Sequence, residues 1–249
     1  MKDWTLLVAP WAQNLLPPPD QMLPALLELF RHPHHVMKDD RRSLVFLVEA
    51  LPFDCPGQGP WVCKRPRWHD NRLWNQLLSL VREGEMRRSY RAALFLEQLG
   101  MATPRPLLCL EKRRWGMVVE SWLVYEYARG EAVGQAQWSA VVAALECLHR
   151  AGLRHGDPHL ANWLVDGQGG VLMLDPGPRP LRHGFADDAY DFVLLRNCQP
   201  AILPLLPLRQ SWKWRVAEFR DSWVHGLRNL KRWLRARTLG QGGKANPSR

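Results

Sequence analysis

The chain lacks a run of apolar residues long enough to cross a membrane. No window reaches about eighteen consecutive apolar residues, the length that a spanning helix needs. The N-terminus starts weakly like a signal peptide, but Asp3 spoils its positive region, Pro10 breaks its apolar run, and no small-residue cleavage site follows. We therefore expect a cytoplasmic protein without a membrane-spanning segment.

Cysteine is also sparse and shows no pattern of a metal or disulfide site. The five cysteines are scattered, odd in number and form no Cys-x-x-Cys pair, so we expect reduced thiols and no zinc site. The 249 residues are enough for one large domain or one two-lobed unit with a sizeable core.

Acidic residues are scarce at the end of the chain. Residues 209–249 hold eleven Lys or Arg and two Asp or Glu, a balance of +9. Because the whole chain carries +10, the other 208 residues carry about +1. The body of the protein is therefore close to neutral and its last segment is strongly basic.

Hydrophobic periodicity and turn residues predict strands in the first half and helices in the second. The predicted elements are a helix over 22–30, strands over 37–49 and 61–67, helices over 73–81 and 85–100, two or three strands over 107–127, and a helix over 138–152. No internal repeat interrupts this order.

A short hairpin is predicted within HGDPHLANWLVDGQGGVLMLDPG, residues 155–177. The segments NWLV and VLMLD are its strands, and DGQGG is the turn between them. This pairing holds Asn162 and Asp175 at the same end of the hairpin. Asp157 lies in the preceding loop, where Pro158 prevents a helix from continuing.

These residue types suit phosphoryl transfer. An amide and a carboxylate oxygen at one end of a hairpin suit Mg²⁺, which binds one or two carboxylates and keeps its other positions for water and substrate phosphates. A separate Asp in a loop can accept the proton of a hydroxyl group and orient that group for attack. Together they are the parts of a phosphoryl-transfer site.

Four features in order resemble the protein-kinase-like superfamily. HGDPHLAN (155–162) matches the catalytic loop H-x-D-x-x-x-x-N, and Asp175 stands where the superfamily has the metal-binding Asp of D-F-G. WLVYEYARGE (122–131) looks like the strand and hinge between the two lobes, and Lys64 in WVCK occupies the slot of the V-A-I-K lysine.

The resemblance implies an α+β, two-lobed protein-kinase-like fold. Residues 1–127 would form a nucleotide-binding N-lobe, with an N-terminal extension, an antiparallel sheet and a helix. Residues 128–237 would form a mainly helical, catalytic C-lobe that ends in a basic helix. Residues 238–249 are expected to be disordered.

The departures from the superfamily pattern point to its compact small-molecule branch. There is no G-x-G-x-x-G, since the first hairpin offers only KDDRRS (38–43); D-F-G has become Asp175-Pro176-Gly177, and no A-P-E follows. Within this branch the chain most resembles the bacterial lipopolysaccharide core sugar kinases, which phosphorylate heptose or Kdo. MKDDRRS, WVCK, REGEMRRSYRAALFLEQLGMATPRPL and HGDPHLANWLV carry that resemblance.

The resemblance implies ATP and Mg²⁺ as cofactors and assigns the main roles. Asp157 would be the catalytic base that orients the sugar hydroxyl, with a turn-capping loop Asp as the plain alternative. Asn162 and Asp175 would bind Mg²⁺, and Lys64 would contact the α- and β-phosphates of ATP. An ordinary strand-end lysine is the alternative for Lys64.

The resemblance assigns supporting roles to further residues around the catalytic base, the metal ligands and Lys64. At the hinge, the backbone of Glu126 and Ala128 would meet the adenine. His155 would pack beneath the loop, and Asp191 on the next helix would brace it, unless Asp191 is a surface acid. His159 is left open between a contact with the acceptor or phosphate and a plain surface position.

A carboxylate is also expected to hold Lys64. Glu85 is favoured because it opens a helix 21 residues after Lys64, about the expected separation. Glu83 and Glu97 are the other candidates, and acids are in any case favoured near a helix N-terminus.

The basic segment contains a predicted amphipathic helix. Its apolar residues fall in steps of three and four at positions 212, 216, 219, 223, 227, 230 and 234, with Trp214 opposite them. Either this stripe packs on the C-lobe and the charges are solvated, or the basic face turns to anionic lipid headgroups or to a phosphorylated glycolipid.

The sequence thus predicts an ATP-dependent kinase for a heptose or Kdo hydroxyl of the lipopolysaccharide inner core. The expected partners are the lipid A-core glycolipid acceptor and an anionic membrane surface, at the inner face of the bacterial inner membrane. No nucleic acid is expected, because the body is near neutral. The alternatives are an aminoglycoside- or choline-type phosphotransferase, a small atypical protein kinase, and a non-catalytic kinase-like scaffold.

Overall fold

The computed structural model describes residues 3–55, 59–67, 73–175, 179–182 and 185–240. Residues 73–75, 228, 230–232 and 234–240 are described by their backbone alone. Pro176 and Gly177, which follow Asp175 in the predicted metal motif, lie outside the described residues.

Eleven strands and six α-helices lie in these residues. The strands are β1 Trp4–Val8, β2 Val36–Asp39, β3 Ser43–Val48, β4 Trp61–Pro66, β5 Pro106–Arg114, β6 Met117–Glu126, β7 Glu131–Ala132, β8 Leu153–Arg154, β9 Trp163–Val165, β10 Val171–Met173 and β11 Arg179–Pro180. The helices are α1 Pro19–Arg31, α2 Leu73–Leu78, α3 Glu85–Gln98, α4 Trp138–Arg150, α5 Asp187–Cys198 and α6 Trp212–Gly240.

An antiparallel six-stranded sheet in the order β1-β5-β6-β4-β3-β2 dominates the first half of the chain. Lys64 lies in β4 between Val45 of β3 and Leu123 of β6. The sheet and its helices confirm the predicted α+β fold. The N-terminal segment, for which no strand was predicted, adds β1, which pairs with β5 from Trp4–Lys112 to Val8–Leu108.

Contacts divide the chain into two compact units. The first unit contains residues 1–140 and 161–178, and the second contains residues 141–160 and 179–249. This division differs from the lobes predicted from the sequence, because residues 128–140 and the β9–β10 hairpin belong to the sheet unit. A lobe boundary between residues 127 and 128 stays a prediction.

The larger of two buried clusters in the first unit lies between the sheet and α1, and the other includes Met86 and Tyr90 of α3. Helix α1 starts with Pro19, which suits a first helical turn, and buries Met22, Leu26 and Phe30 at a spacing of four residues. The ring of Phe30 stacks on Trp122 of β6 with centroids 4.1 Å apart. Burial of such aromatic rings gives the sheet one covered face.

The buried apolar residues of the second unit lie mainly on α4, α5 and α6. Val141, Val142, Leu145 and Leu148 are buried on α4, as the spacing predicted. Helix α5 is buried along almost its whole length, so it shows little amphipathic character. It is flanked by α6.

Helix α6 bears on one prediction and on one choice that the sequence left open. It continues to Gly240, three residues into the segment expected to be disordered. Its described apolar residues Trp212, Val216, Phe219, Trp223 and Leu227, named here the outer stripe, are exposed rather than packed on the second unit. Trp214 and Ala217, on the opposite side of the helix, are buried instead. Periodicity identified the stripe, but the helix packs through its other face.

Candidate active site

Lys64 and Asp175 form an ion pair within the first unit. The Lys64 Nζ atom lies 2.5 Å from Oδ1 of Asp175, although 111 residues separate them in the chain. The lysine side chain is largely buried, whereas the Asp175 carboxylate is more than half exposed. The fold therefore brings two of the residues predicted for one site into direct contact.

A small open cleft lies beside this pair. Its lining is apolar apart from the pair itself, Ser89 and the hydroxyl-bearing Tyr125: Lys64, Ser89, Ala93, Pro104, Pro106, Leu123, Tyr125 and Asp175. An apolar cleft with a few convergent polar groups is typical of a small-molecule site. Burial, with the nearby Asp175, raises the pKa of the Tyr125 hydroxyl, so that group stays protonated.

The β9–β10 hairpin places Asn162 and Asp175 at the same end, as predicted from its sequence. Trp163 pairs with Met173, and the N–H of Leu174 donates to the carbonyl of Asn162 at 2.7 Å. Asp175 follows directly, with a φ of 48°. This left-handed conformation is uncommon for a residue with a side chain and often marks a functional site.

Asn162 and Asp175 could hold a divalent metal ion. Both present the hard oxygen atoms that Mg²⁺ prefers, and the Asp175 carboxylate is exposed enough to accept it. Among the described residues, no group of three or more His, Cys, Asp and Glu could form a metal site. Two oxygen ligands fit an ion that takes its remaining ligands from phosphates and water, so the residues present fit Mg²⁺.

The segment that follows β6 contributes backbone groups at the predicted hinge. The N–H of Glu126 donates to the carbonyl of Arg105 at 2.9 Å, and the N–H of Tyr127 donates to the carbonyl of Pro60 at 2.9 Å. At Glu126 the carbonyl would therefore have to make the predicted adenine contact. Burial raises the pKa of the Glu126 carboxyl. Ala128 is half-buried just beyond.

The candidate carboxylates for Lys64 differ in their placement. Glu83 pairs with Arg91 at 2.5 Å, and Glu97 pairs with Arg105 at 3.0 Å. Glu85 begins α3 and lies four residues before Ser89, on the helix face that lines the cleft. The contact that the structure gives Lys64 is with Asp175.

The loop that carries Asp157 belongs to the second unit. His155 is buried, and its Nδ1 accepts the N–H of Asp157 at 3.3 Å. Gly156 has a φ of 83°, which a residue with a side chain rarely adopts. The Asp157 carboxylate is exposed, and Nε2 of His159 lies 3.2 Å from its Oδ1. His159 therefore pairs with Asp157, a third arrangement that the sequence did not indicate.

Asp191 on α5 binds the backbone of the loop that carries Asp157. Its carboxylate is fully buried and accepts the N–H of His155 at 2.7 Å and of Gly156 at 2.9 Å. His149 on α4, which sequence reasoning missed, lies 3.1 Å from the same carboxylate. Nothing in the helical pattern of α4 singles out this histidine, because its partner is 42 residues away.

The other two acids at the start of α5 are bound inside the second unit. Asp187 contacts Arg182 at 3.0 Å and Arg220 at 2.6 Å, while Asp188 contacts Lys213 at 2.7 Å. Burial opposes ionisation of Asp187, but its hydrogen bonds from the two arginines outweigh burial and lower its pKa. Both acids act as anchors for basic side chains of neighbouring segments.

Comparison with known proteins identifies the fold. No protein-family model and no curated protein matches the sequence. A solved structure, "WaaP in complex with acyl carrier protein", matches with a TM-score of 0.54 and 15% identity, over 94% of this chain and 97% of that one. The fold is protein-kinase-like. A second structure, WbdD with the kinase inhibitor LY294002, matches at a TM-score of 0.46 and 14% identity, over 74% of this chain and 44% of that one.

The match to WaaP confirms the resemblance stated from the sequence at the level of the fold. At 15% identity it establishes the fold alone. The part of the chain that the structure describes also contains no helix long and apolar enough to span a bilayer.

Proposed function

We propose that this protein is an ATP-dependent kinase that phosphorylates a heptose or Kdo hydroxyl of the lipopolysaccharide inner core. The observation that carries the proposal is the Lys64–Asp175 pair beside an apolar cleft. A lysine at the phosphates and a carboxylate at the metal are the pair that phosphoryl transfer requires. The sugar and its source are proposed from the sequence resemblance alone, and the match to WaaP supports the kinase-like fold.

In this proposal the first unit binds the nucleotide. The cleft takes the adenine, with the backbone of Glu126 and Ala128 at its edge. Lys64 exchanges its contact with Asp175 for the α- and β-phosphates, while Glu85 steadies the lysine. Asn162 and Asp175 hold Mg²⁺, which when bound neutralises phosphate charge.

Asp157 is the proposed base. Asp157 accepts the hydroxyl proton as the sugar oxygen attacks the γ-phosphorus and the bond to the ADP oxygen breaks. The products are the sugar phosphate and ADP, and the proton leaves through Asp157. His155 and Asp191 keep the loop in place, and His159 orients the carboxylate of Asp157.

The acids after the hairpin favour a sugar acceptor over a cationic one. An aminoglycoside- or choline-type enzyme needs carboxylates that are available to its substrate. Here Asp187, Asp188 and Asp191 are each engaged by internal donors. Their arrangement therefore supports an acceptor recognised through hydroxyl groups.

The membrane and a carrier protein are the proposed partners. The lipid A-core acceptor is tethered to the inner face of the bacterial inner membrane, so a basic helix would assist access. WaaP is in complex with acyl carrier protein in its solved structure. We therefore propose acyl carrier protein as a second partner. Co-elution of the two purified proteins would test this.

The deciding experiment is phosphate transfer from ATP to purified, unphosphorylated core oligosaccharide. We expect Asp157→Asn to lower the rate by about 10²–10⁴-fold, the contribution of a general base. Asp166→Asn is the matched control, because Asp166 lies in the hairpin turn and accepts only local N–H groups. No transfer by the parent would overturn the function, and equal transfer by Asp157→Asn would overturn the base.

A further inference from the structure

Helix α6 is fixed to the second unit through one face. Trp214 and Ala217 are buried on this face, and Lys213 contacts Asp188 of α5 at 2.7 Å. Glu218 contacts Arg196, and Asp221 accepts a hydrogen bond from Asn197 at 2.8 Å. Polar side chains of α5 and α6 thus contact each other across the packed face. These contacts determine the rotation of α6 about its axis.

That rotation turns the outer stripe toward solvent. The exposed fractions are 63% for Trp212, 38% for Val216, 71% for Phe219, 61% for Trp223 and 51% for Leu227. At 100° per residue these side chains fall within about 80° of the helix circumference and extend about 22 Å along the axis. Contiguous exposed apolar surface of this kind usually marks an interaction site.

The charges around the outer stripe have one sign. The only acids in residues 209–249 are Glu218 and Asp221, and both are engaged on the packed face. Arg215 is exposed near the edge of the stripe. Residues 228–249 add seven Lys or Arg and no acid. The occupant must therefore combine an apolar interior with a negative surface.

We propose that the outer stripe inserts into an anionic phospholipid bilayer, with α6 lying in the plane of the membrane interface. Trp, Phe and Leu on one face and basic residues around them are typical of interfacial helices. A second copy of the chain fits poorly, because it would bring two segments of +9 together. This inference deepens the proposed function: the acceptor is embedded in the same surface.

Sedimentation of the full-length protein with phospholipid vesicles tests the insertion. The vesicles are either zwitterionic lipid alone or an equal mixture of zwitterionic and anionic lipid. We expect the double variant Phe219→Ser/Trp223→Ser to bind mixed vesicles about tenfold or more weakly than the parent, because two apolar side chains no longer leave water. Trp115→Ser is the matched control, since Trp115 is 78% exposed but belongs to the first unit.

High salt separates insertion from charge attraction. The parent should stay partly bound to mixed vesicles at high salt, because salt screens charges and leaves apolar contacts intact. Absence of binding by the parent, or equal binding by the double variant, would overturn the proposal. Loss of acyl carrier protein binding without any loss of vesicle binding would also overturn it and assign the stripe to a protein.

Phosphate transfer to soluble core oligosaccharide distinguishes a failure of the membrane proposal from a failure of the proposed kinase function. The double variant should phosphorylate the soluble acceptor as fast as the parent, with an unchanged melting temperature, because both side chains are exposed and outside the candidate site. A parent that binds vesicles but transfers no phosphate would refute the kinase and leave the insertion standing.

Discussion

Replacing Asp191 with Asn should destabilise the protein, because its carboxylate holds the loop that carries Asp157. The buried oxygens accept the N–H of His155 and of Gly156 and lie 3.1 Å from His149. Asn keeps one acceptor oxygen but turns its amide N–H₂ toward a donor. A hydrogen bond to a charged group contributes about 1.5–3 kcal/mol, and an unpaired buried donor costs about 1–3 kcal/mol. We expect a loss of about 2–4 kcal/mol in the free energy of unfolding.

Urea unfolding followed by circular dichroism measures this loss, with Asp20→Asn as the control. Asp20 is exposed in the first turn of α1, where a charge contributes about 0.3–1 kcal/mol. Phosphate transfer at a temperature where the variant is folded should show a lower kcat and a similar KM for ATP, because the proposed nucleotide-binding residues lie in the first unit. A variant no less stable than Asp20→Asn would refute this reasoning.

Two further substitutions test the ion pairs of each unit. Lys64→Met should abolish the rise in melting temperature that Mg²⁺ and ATP give the parent and reduce transfer about 100-fold or more, whereas the exposed strand variant Lys38→Met should behave as the parent. The pKa of Asp187 is lowered from its ordinary value of 3.8, because bonds from Arg182 and Arg220 outweigh burial, so its stabilisation is present above that value and disappears as pH falls below it. Asp187→Asn should therefore remove part of the acid-dependent decrease in the urea midpoint, and an unchanged pH profile would contradict the assignment.

The sequence predicted the site residues that depend on local pairing. In a two-stranded hairpin, a short glycine-containing turn sets the register of the two strands. The proximity of Asn162 and Asp175 therefore followed from the sequence alone. The helices α1, α3 and α4 likewise followed from apolar spacing. Resemblance to a known motif supplied Lys64, whose distance of 111 residues from Asp175 no local rule could bridge.

Features that depend on distant partners were not predictable. Strand β1 lies at the sheet edge and pairs with β5 about a hundred residues later, so its own short, proline-bounded sequence gave little strand signal. The outer stripe shows a second limit. Periodicity finds an apolar face, but the packing direction was decided by Trp214 and by the ionic partners of Lys213 and Glu218 on another helix.

In the proposed kinase, the turn between β2 and β3 would hold phosphates differently from a glycine-rich loop. In such loops a glycine-rich backbone covers the phosphates. Here Oδ1 of Asp40 already accepts the N–H groups of Ser43 and Arg42, at 2.8 and 2.7 Å. These bonds lower the pKa of Asp40 and occupy two N–H groups that a phosphate at the turn would need. In the proposed kinase, phosphate binding would therefore depend more heavily on Lys64 and the metal ion, which makes Lys64→Met the most sensitive probe of the proposed nucleotide site.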